Sequence, residues 1–256
     1  MKPKIAFGFH VKELDHDSQI TVDEVVQQAY SRGYQEVVLF AHTYHPTDLA
    51  PLDIKILQDV FHQDYPLPVS FAPEVNIHPE WDDGQVGGVY LDMLDFRELG
   101  IPLKSVVLSL HFTAAIFRNK KWDELPCHSQ NVWEMERMYF MALNAWERRR
   151  LPYLFPVPVV VGHPYKYALG DEQNKALAFH RLCDFLGRKC PWAWLEAPLR
   201  EWEFGHSPAK YAEYFGRDRR VVLSFDAHTK EQMDFAGYER AFGDLCSVKG
   251  PIIFGE

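Results

Sequence analysis

The sequence lacks the features that mark secreted and membrane proteins. Its four cysteines include no C-x-x-C pair, which excludes a cysteine-rich zinc site. Hydrophobic residues make up 47% of the chain, so a large core can form without a disulfide framework, and reduced thiols in the cytoplasm are expected. After the first lysines only Ile5-Ala6-Phe7 is continuously apolar. That run is far too short for a signal peptide or a membrane span.

A positive charge excess is also missing, because the net charge is -9 with histidines counted as neutral. Such a chain repels nucleic acid in bulk, so we expect neither nucleic acid nor a membrane as a partner. An acidic balance also suits a protein that concentrates cations. There is no internal repeat, low-complexity segment or evident linker. We therefore predict that residues 1–256 form a single soluble, cytoplasmic domain.

Short apolar runs alternate with helical patterns about seven times along the chain. The first unit shows the pattern well. Ile5–Phe9 is a predicted strand, and Thr21 with Glu24 forms a capping box that begins a helix ending near Gly33. Continuous apolar strands that alternate with helices predict a parallel sheet buried on both faces. This pattern alone fits both an open doubly wound sheet and a closed barrel.

A histidine or a carboxylate ends or follows each of the seven predicted strands. In chain order these residues are His10, His42 with His45, Glu74, His111, His163, Glu196, and Asp226 with His228. In a βα barrel all strand carboxyl ends open onto one face, so residues distant in sequence converge there. Imidazoles and carboxylates are ligands for Zn²⁺, Mn²⁺ and Fe²⁺. The sequence thus predicts a centre of divalent metal ions.

These motifs resemble the polymerase-and-histidinol-phosphatase (PHP) family, especially its stand-alone histidinol-phosphatase-like members. The resemblance runs from His10 to His228 and is most specific in G-H-P and S-D-A-H. The matching segments are His10-Val11-Lys12 for H-x-H, Asp17 in the following turn, Thr21-Val22-Asp23-Glu24 at the helix start, Phe40-Ala41-His42 for T-D-H, Phe71-Ala72-Pro73-Glu74, Leu108-Ser109-Leu110-His111, Gly162-His163-Pro164, and Phe225-Asp226-Ala227-His228.

The resemblance implies a distorted (βα)7 TIM-like barrel with its metal site at the carboxyl-terminal ends of the strands. It also implies two or three divalent ions (Zn, Mn or Fe) as cofactors. The implied ligand sets are His10, Glu74 and Asp226 for one ion; Glu74, His111 and His163 for a second, with Glu74 bridging; and Asp17, His42 and His228 for a third, with His16 competing with Asp17.

Two residues depart from the family pattern. Lys12 stands where the second histidine of H-x-H is expected, and an ammonium cannot ligate a metal unless it loses its proton. We therefore expect the first metal site to be weak or empty, with Lys12 replacing part of the charge of that ion. Ala41 replaces the aspartate of T-D-H, so a group that supports the ligands is expected to be missing.

The resemblance implies a phosphoric monoester hydrolase that acts on a small phosphorylated metabolite, of which histidinol phosphate is one option. In such an enzyme Glu74 would bridge two ions, and Asp226 or His228 would relay the proton of the leaving group. The cations expected to bind the phosphate are Lys12, Arg118, Lys166 and Arg200. Two alternatives stay open: a metal-dependent hydrolase of a non-phosphate bond, and a non-catalytic barrel that binds metal or ligand. The sequence predicts no oligomeric state.

Overall fold

The strands that the structure describes belong to one parallel sheet. The computed structural model describes residues 3–43, 52–76, 98–109, 132–148, 157–163, 172–199, 220–248 and 252–254. Within them, eight strands pair in chain order, each parallel to its neighbours. They are β1 (Ile5–His10), β2 (Glu36–His42), β3 (Val69–Asn76), β4 (Val106–Ser109), β5 (Val159–Val161), β6 (Ala193–Pro198), β7 (Arg220–Ser224) and β8 (Ile252–Ile253).

The segment after β7 returns to β1 and nearly closes the sheet into a barrel. The Phe225 amide donates to the carbonyl oxygen of Phe7 at 2.8 Å, and the His10 amide donates to that of Ala227 at 3.0 Å. The short strand β8 pairs with the opposite, amino-terminal end of β7. Seven parallel strands thus form a nearly closed TIM-like barrel, which confirms the predicted fold class.

The inside of the barrel is a layer of apolar side chains supplied by successive strands. Its buried members are Phe7, Val38, Phe40, Ala72, Val107, Val160 and Val222. Side chains alternate between the two faces of a strand, so the next inward position lies two residues further along. On β2 and β3 those positions are His42 and Glu74. The apolar layer therefore lies directly beneath a layer of polar side chains that includes His42 and Glu74.

Strand β1 departs from strict alternation because it contains a bulge. Its register with β2 shifts between Phe7 and Phe9, and Gly8 has φ +94°, a conformation that favours glycine. A Cβ at Gly8 would also lie 2.8 Å from the Cβ of Ser224. The bulge lets Phe7 and His10 both face the interior, whereas Phe9 packs outward in the larger core.

Five helices lie among the described segments: α1 (Val22–Ser31), α2 (Ile54–Phe61), α3 (Val132–Arg148), α4 (Glu172–Lys189) and α5 (Phe235–Ser247). The capping box predicted for α1 is present. The Glu24 amide donates to the Thr21 hydroxyl, and the Thr21 amide donates to the Glu24 carboxylate, both at 3.1 Å. Among the described residues, no helix combines the length and the apolar character needed to cross a membrane.

Several predicted boundaries differ from those of the structure. The sequence pattern predicts strands over 36–40 and 67–72, but β2 and β3 extend to His42 and Asn76, so His42 and Glu74 lie within strands and not after them. It also predicts a helix over 230–242, where the structure has a short 3-10 turn, Lys230–Gln232, followed by α5, which begins after the capping residue Asp234. Two further helices that the pattern predicts, at 208–215 and 91–99, lie outside the described residues, except for the end of the second.

Candidate metal centre

The polar layer at the carboxyl end of the barrel is centred on Glu74. One of its oxygens, Oε2, lies 3.2 Å from His10 Nε2 and 3.6 Å from His42 Nε2. The other oxygen, Oε1, lies 2.9 Å from His163 Nε2. All four side chains are buried. The Glu74 carboxylate thus lies between imidazoles from three strands. Those of β1 and β2 are beside one of its oxygens, and that of His163, which follows β5, is beside the other.

The turn after β1 brings a second carboxylate to this cluster. The Asp15 amide donates to the carbonyl oxygen of Val11 at 2.8 Å, which folds the chain back as one helical turn. The Ser18 hydroxyl ties the turn to β1 by donating to the carbonyl oxygen of His10 at 2.7 Å. The Asp15 carboxylate is buried and lies 2.6 Å from His10 Nδ1 and 3.0 Å from His42 Nδ1.

Asp226 and His228 extend the cluster on the other side of His10. Asp226 Oδ1 lies 3.6 Å from His10 Nε2, and the His228 ring stacks on the His10 ring with centroids 4.1 Å apart. Asp226 has φ +45°, the left-handed region that aspartate tolerates better than most residues. That conformation turns the chain at the end of β7. His228 Nε2 lies 3.7 Å from Oδ2 of Asp17, which is partly exposed at the mouth of the barrel.

Glu196 is a further buried carboxylate, on β6, and its partners differ from those of Glu74. It accepts the main-chain N–H of His163 at 2.8 Å and the hydroxyl of Ser224 at 2.5 Å. Burial raises the pKa of Glu196 above its ordinary value. Glu196 fixes the backbone from which the His163 ring extends toward Glu74.

The charges of the cluster shift its pKa values in opposite directions. Burial alone would lower the pKa of His10, but the carboxylates of Asp15 and Glu74 outweigh burial and raise it well above the ordinary value. The pKa of His42 is raised for the same reason. Burial, followed by the neighbouring His10, lowers the pKa of His228 to about 4. The imidazoles of His10 and His42, which lie between the carboxylates, therefore favour the positively charged form, whereas the imidazole of His228 stays neutral.

The residues fit a divalent cation. Ligand atoms of His10, Asp226 and His228 lie within 4.8 Å of one another, as do those of His10, Asp15 and His42. Among the described residues, the buried atoms His10 Nε2 and His228 Nδ1 have no hydrogen-bond partner. A buried polar atom is normally paired, and a bare imidazole nitrogen beside carboxylates is a metal-binding arrangement. Imidazole and carboxylate donors suit Zn²⁺, Mn²⁺ or Fe²⁺.

The structure brings most of the described predicted ligands together. Six of them converge: His10, His42, Glu74, His163, Asp226 and His228. Asp17 lies at the edge of this cluster, where its carboxylate is near His228. The side chains of Lys12 and His16 are exposed, so the predicted charge replacement by Lys12 stays a prediction. His111 as a ligand, and Arg118, Lys166 and Arg200 as phosphate-binding cations, lie outside the described residues, as does His45.

Sequence reasoning missed the position of Asp15. We chose Asp17 from the family spacing, but Asp15 is the carboxylate that reaches the buried imidazoles of β1 and β2. The signal available was the acidic pair in Leu14-Asp15-His16-Asp17-Ser18, five and seven residues after His10. Spacing alone cannot separate the two, because the choice depends on how the turn folds.

The fold and this cluster define a TIM-like barrel with a candidate metal centre at the carboxyl ends of its strands. No family model matches the chain, and no curated protein matches it. Among solved structures, the chain is similar to a histidinol phosphate phosphatase from Lactococcus lactis, solved with zinc, L-histidinol and phosphate. The two are 15% identical with a TM-score of 0.61, over 98% of this chain and 95% of that one.

A weaker likeness is to 2,6-dihydroxybenzoate decarboxylase from Rhizobium. The identity is 13% and the TM-score 0.47, over 97% of this chain and 93% of the other. At 15% identity, the likeness to the phosphatase structure shows a shared fold alone. What the centre does must be argued from its own residues.

Proposed function

We propose that this chain is a metal-dependent phosphoesterase that hydrolyses a small phosphate monoester. The observation that carries the proposal is the position of Glu74, whose two oxygens face separate imidazoles: His10 and His42 on one edge, His163 on the other. A carboxylate so placed suits a bridge between two ions. Pairs of bridged ions are typical of phosphatases, nucleases and aminopeptidases.

Two ligand groups follow from the described contacts. One consists of His10, Glu74, Asp226 and His228, with His42 beside the same oxygen of Glu74 as His10. The other starts from Glu74 and His163, and the undescribed His111 would complete it. Divalent ions at such positions supply Lewis acidity, which activates water and offsets the charge of a phosphate. The residues themselves would orient those ions, and the apolar layer beneath them fills the described part of the barrel interior.

Asp226 and His228 are the candidates for handling the proton of the leaving group. His228 is the more accessible, since 18% of its side chain is exposed at the mouth. Its pKa, lowered to about 4, keeps the ring neutral near pH 7, so it would have to take a proton from the attacking water before passing one to the leaving oxygen. We assign ligation to both residues first, because Asp226 lies within 3.6 Å of His10 Nε2.

The phosphate monoester is the substrate class supported by the resemblance of the motifs and by the likeness to a phosphatase solved with L-histidinol and phosphate. Histidinol phosphate is therefore the first metabolite to test. Lys12, Arg118, Lys166 and Arg200 remain the proposed phosphate-binding cations. Lys12 is exposed on the turn after β1.

The test combines elemental analysis of the purified protein with hydrolysis of p-nitrophenyl phosphate and of histidinol phosphate in added Mn²⁺ or Zn²⁺. We expect two or more ions per chain and phosphate release that a chelator abolishes. Bound metal without phosphate release would favour a hydrolase of another bond or a non-catalytic barrel. No bound metal after reconstitution would contradict the proposal at its base.

A further inference from the structure

We infer that Asp15 is a positioning residue that sets the ring orientation and tautomer of His10 and His42 together, so that both present Nε2 to metal. This inference rests on the metal centre of the proposed function. It concerns a residue outside every predicted ligand set. It is based on the contacts of one buried carboxylate. Its Oδ2 lies 2.6 Å from His10 Nδ1, and its Oδ1 lies 3.0 Å from His42 Nδ1.

The hydrogen-bonding capacity of a carboxylate fixes the tautomers. Both oxygens of the Asp15 carboxylate lie at hydrogen-bond distance from a ring nitrogen, and a carboxylate oxygen can only accept. Each Nδ1 beside it must therefore carry the hydrogen. The lone pair of each neutral ring is then left on Nε2, the atom that points toward Glu74.

The backbone makes this arrangement rigid. Asp15 Oδ1 also accepts the main-chain N–H of His42 at 3.2 Å, so the carboxylate ties the turn after β1 to the end of β2. The two rings it holds lie with centroids 4.8 Å apart and nearly parallel. One side chain thus aligns ligands from two strands. A conventional supporting group hydrogen-bonds only a single ligand histidine.

An alternative use of Asp15 is direct ligation, since ligand atoms of Asp15, His10 and His42 lie within 4.8 Å of one another. The two uses predict opposite fates for the Nδ1 hydrogens. Ligation through Nδ1 and the carboxylate would remove both hydrogens when metal binds. Positioning would keep both hydrogens in place, because metal then binds at Nε2.

The decisive measurement is long-range ¹H–¹⁵N NMR of the histidine rings in the wild-type protein, before and after saturation with Zn²⁺. We expect the hydrogen-bonded Nδ1–H signals of His10 and His42 to persist with zinc bound, while the Nε2 resonances shift. Loss of both Nδ1–H signals on zinc addition would make Asp15 a ligand and overturn the inference. This experiment needs no variant and no substrate.

The variant Asp15→Asn supplies a second test. An amide offers one acceptor oxygen and one NH₂ group, so only one Nδ1–H can still be accepted and the other ring must change tautomer. We expect zinc affinity at the His10 and His42 positions to fall about 10–100-fold, the usual effect of removing a group that orients ligands. The matched control, Asp59→Asn on the exposed face of α2, should bind zinc as the wild type does.

The outcomes separate this inference from the phosphatase proposal. Wild-type zinc binding and unchanged tautomers in Asp15→Asn would overturn the positioning role, whatever the protein hydrolyses. If the protein binds zinc and Asp15→Asn shows the expected tautomer change, but no phosphate is released, the positioning role is supported. Only the phosphoesterase proposal is then contradicted. A wild-type protein that binds no zinc would overturn both.

Discussion

Glu74 and Glu196 are both buried glutamates near the carboxyl ends of strands, yet their surroundings differ. Glu74 faces ring nitrogens of three histidines, His10, His42 and His163. Glu196 instead accepts a main-chain N–H and the Ser224 hydroxyl. The donors to Glu196 are fixed parts of the fold. Those around Glu74 are groups that can exchange a proton for a metal ion.

This difference distinguishes a carboxylate that can bind metal from a carboxylate that stabilises the fold of the same barrel. A buried charge needs compensation, and the protein provides it for Glu196 through hydrogen bonds that persist in any state of the site. Around Glu74 the compensation comes from raised imidazole pKa values, that is, from protons that a cation can replace. The two glutamates should therefore respond differently to the same substitution.

The largest effect is expected for Glu74→Gln. An amide cannot bridge two cations as a carboxylate does, so we expect loss of at least one bound ion and a fall of about 1,000-fold or more in phosphate release. Elemental analysis and steady-state kinetics measure the two quantities. Retention of full metal content and activity would contradict the bridging role and place the centre elsewhere.

A second large effect is expected from pH. The raised pKa values of His10 and His42 mean that both rings hold a second proton to higher pH than free histidine does. Metal must displace that proton, so affinity should rise with pH by about tenfold per unit for each proton displaced, until the rings are neutral. His228, with its pKa lowered to about 4, should release none near pH 7.

Calorimetry of zinc binding in two buffers of different ionisation enthalpy counts these protons. We expect a net release between pH 6 and pH 7, and a smaller release as the pH increases further. Zinc affinity that does not change across this range would show that the carboxylates do not hold the rings protonated, and the electrostatic account of the cluster would be wrong.

The two glutamates also show which parts of the site could be predicted from the sequence and which could not. The convergence of His10, His42 and His163 was predictable, because parallel strands place their carboxyl ends on one face, whereas the barrel was predicted from the family resemblance. The strand pattern alone does not distinguish Glu74 from Glu196, since each ends an apolar run, and only the resemblance assigns Glu74 as a ligand. Their partners depend on strand register, which one sequence does not reveal. Asp15 was missed because its contact depends on a turn that folds back beneath His10.

A smaller effect is expected for Gly162→Ala, which tests the packing beside Glu196. A Cβ there would lie 2.8 Å from Val107 Cγ1 and 3.3 Å from Glu196 Oε2, and would clash with the Ser109 hydroxyl. Overpacking of this kind costs about 1–3 kcal/mol in the free energy of unfolding. Gly243→Ala in α5 is the control, because nothing lies within 4 Å of its Cβ and alanine favours a helix. Thermal denaturation should separate the two, and equal melting temperatures would contradict the packing.

The smallest effect is expected for Glu196→Gln, the counterpart of Glu74→Gln. The amide oxygen can keep the bond from the His163 amide, and the Ser224 hydroxyl can reverse to accept from the new NH₂ group. We expect a loss of about 1 kcal/mol in stability and unchanged metal content, because the ligand atoms are untouched. Denaturant unfolding and elemental analysis measure the two. Metal loss as large as in Glu74→Gln would show that fixing the His163 backbone matters as much as ligation, and the distinction between ligand and support would fail at this site.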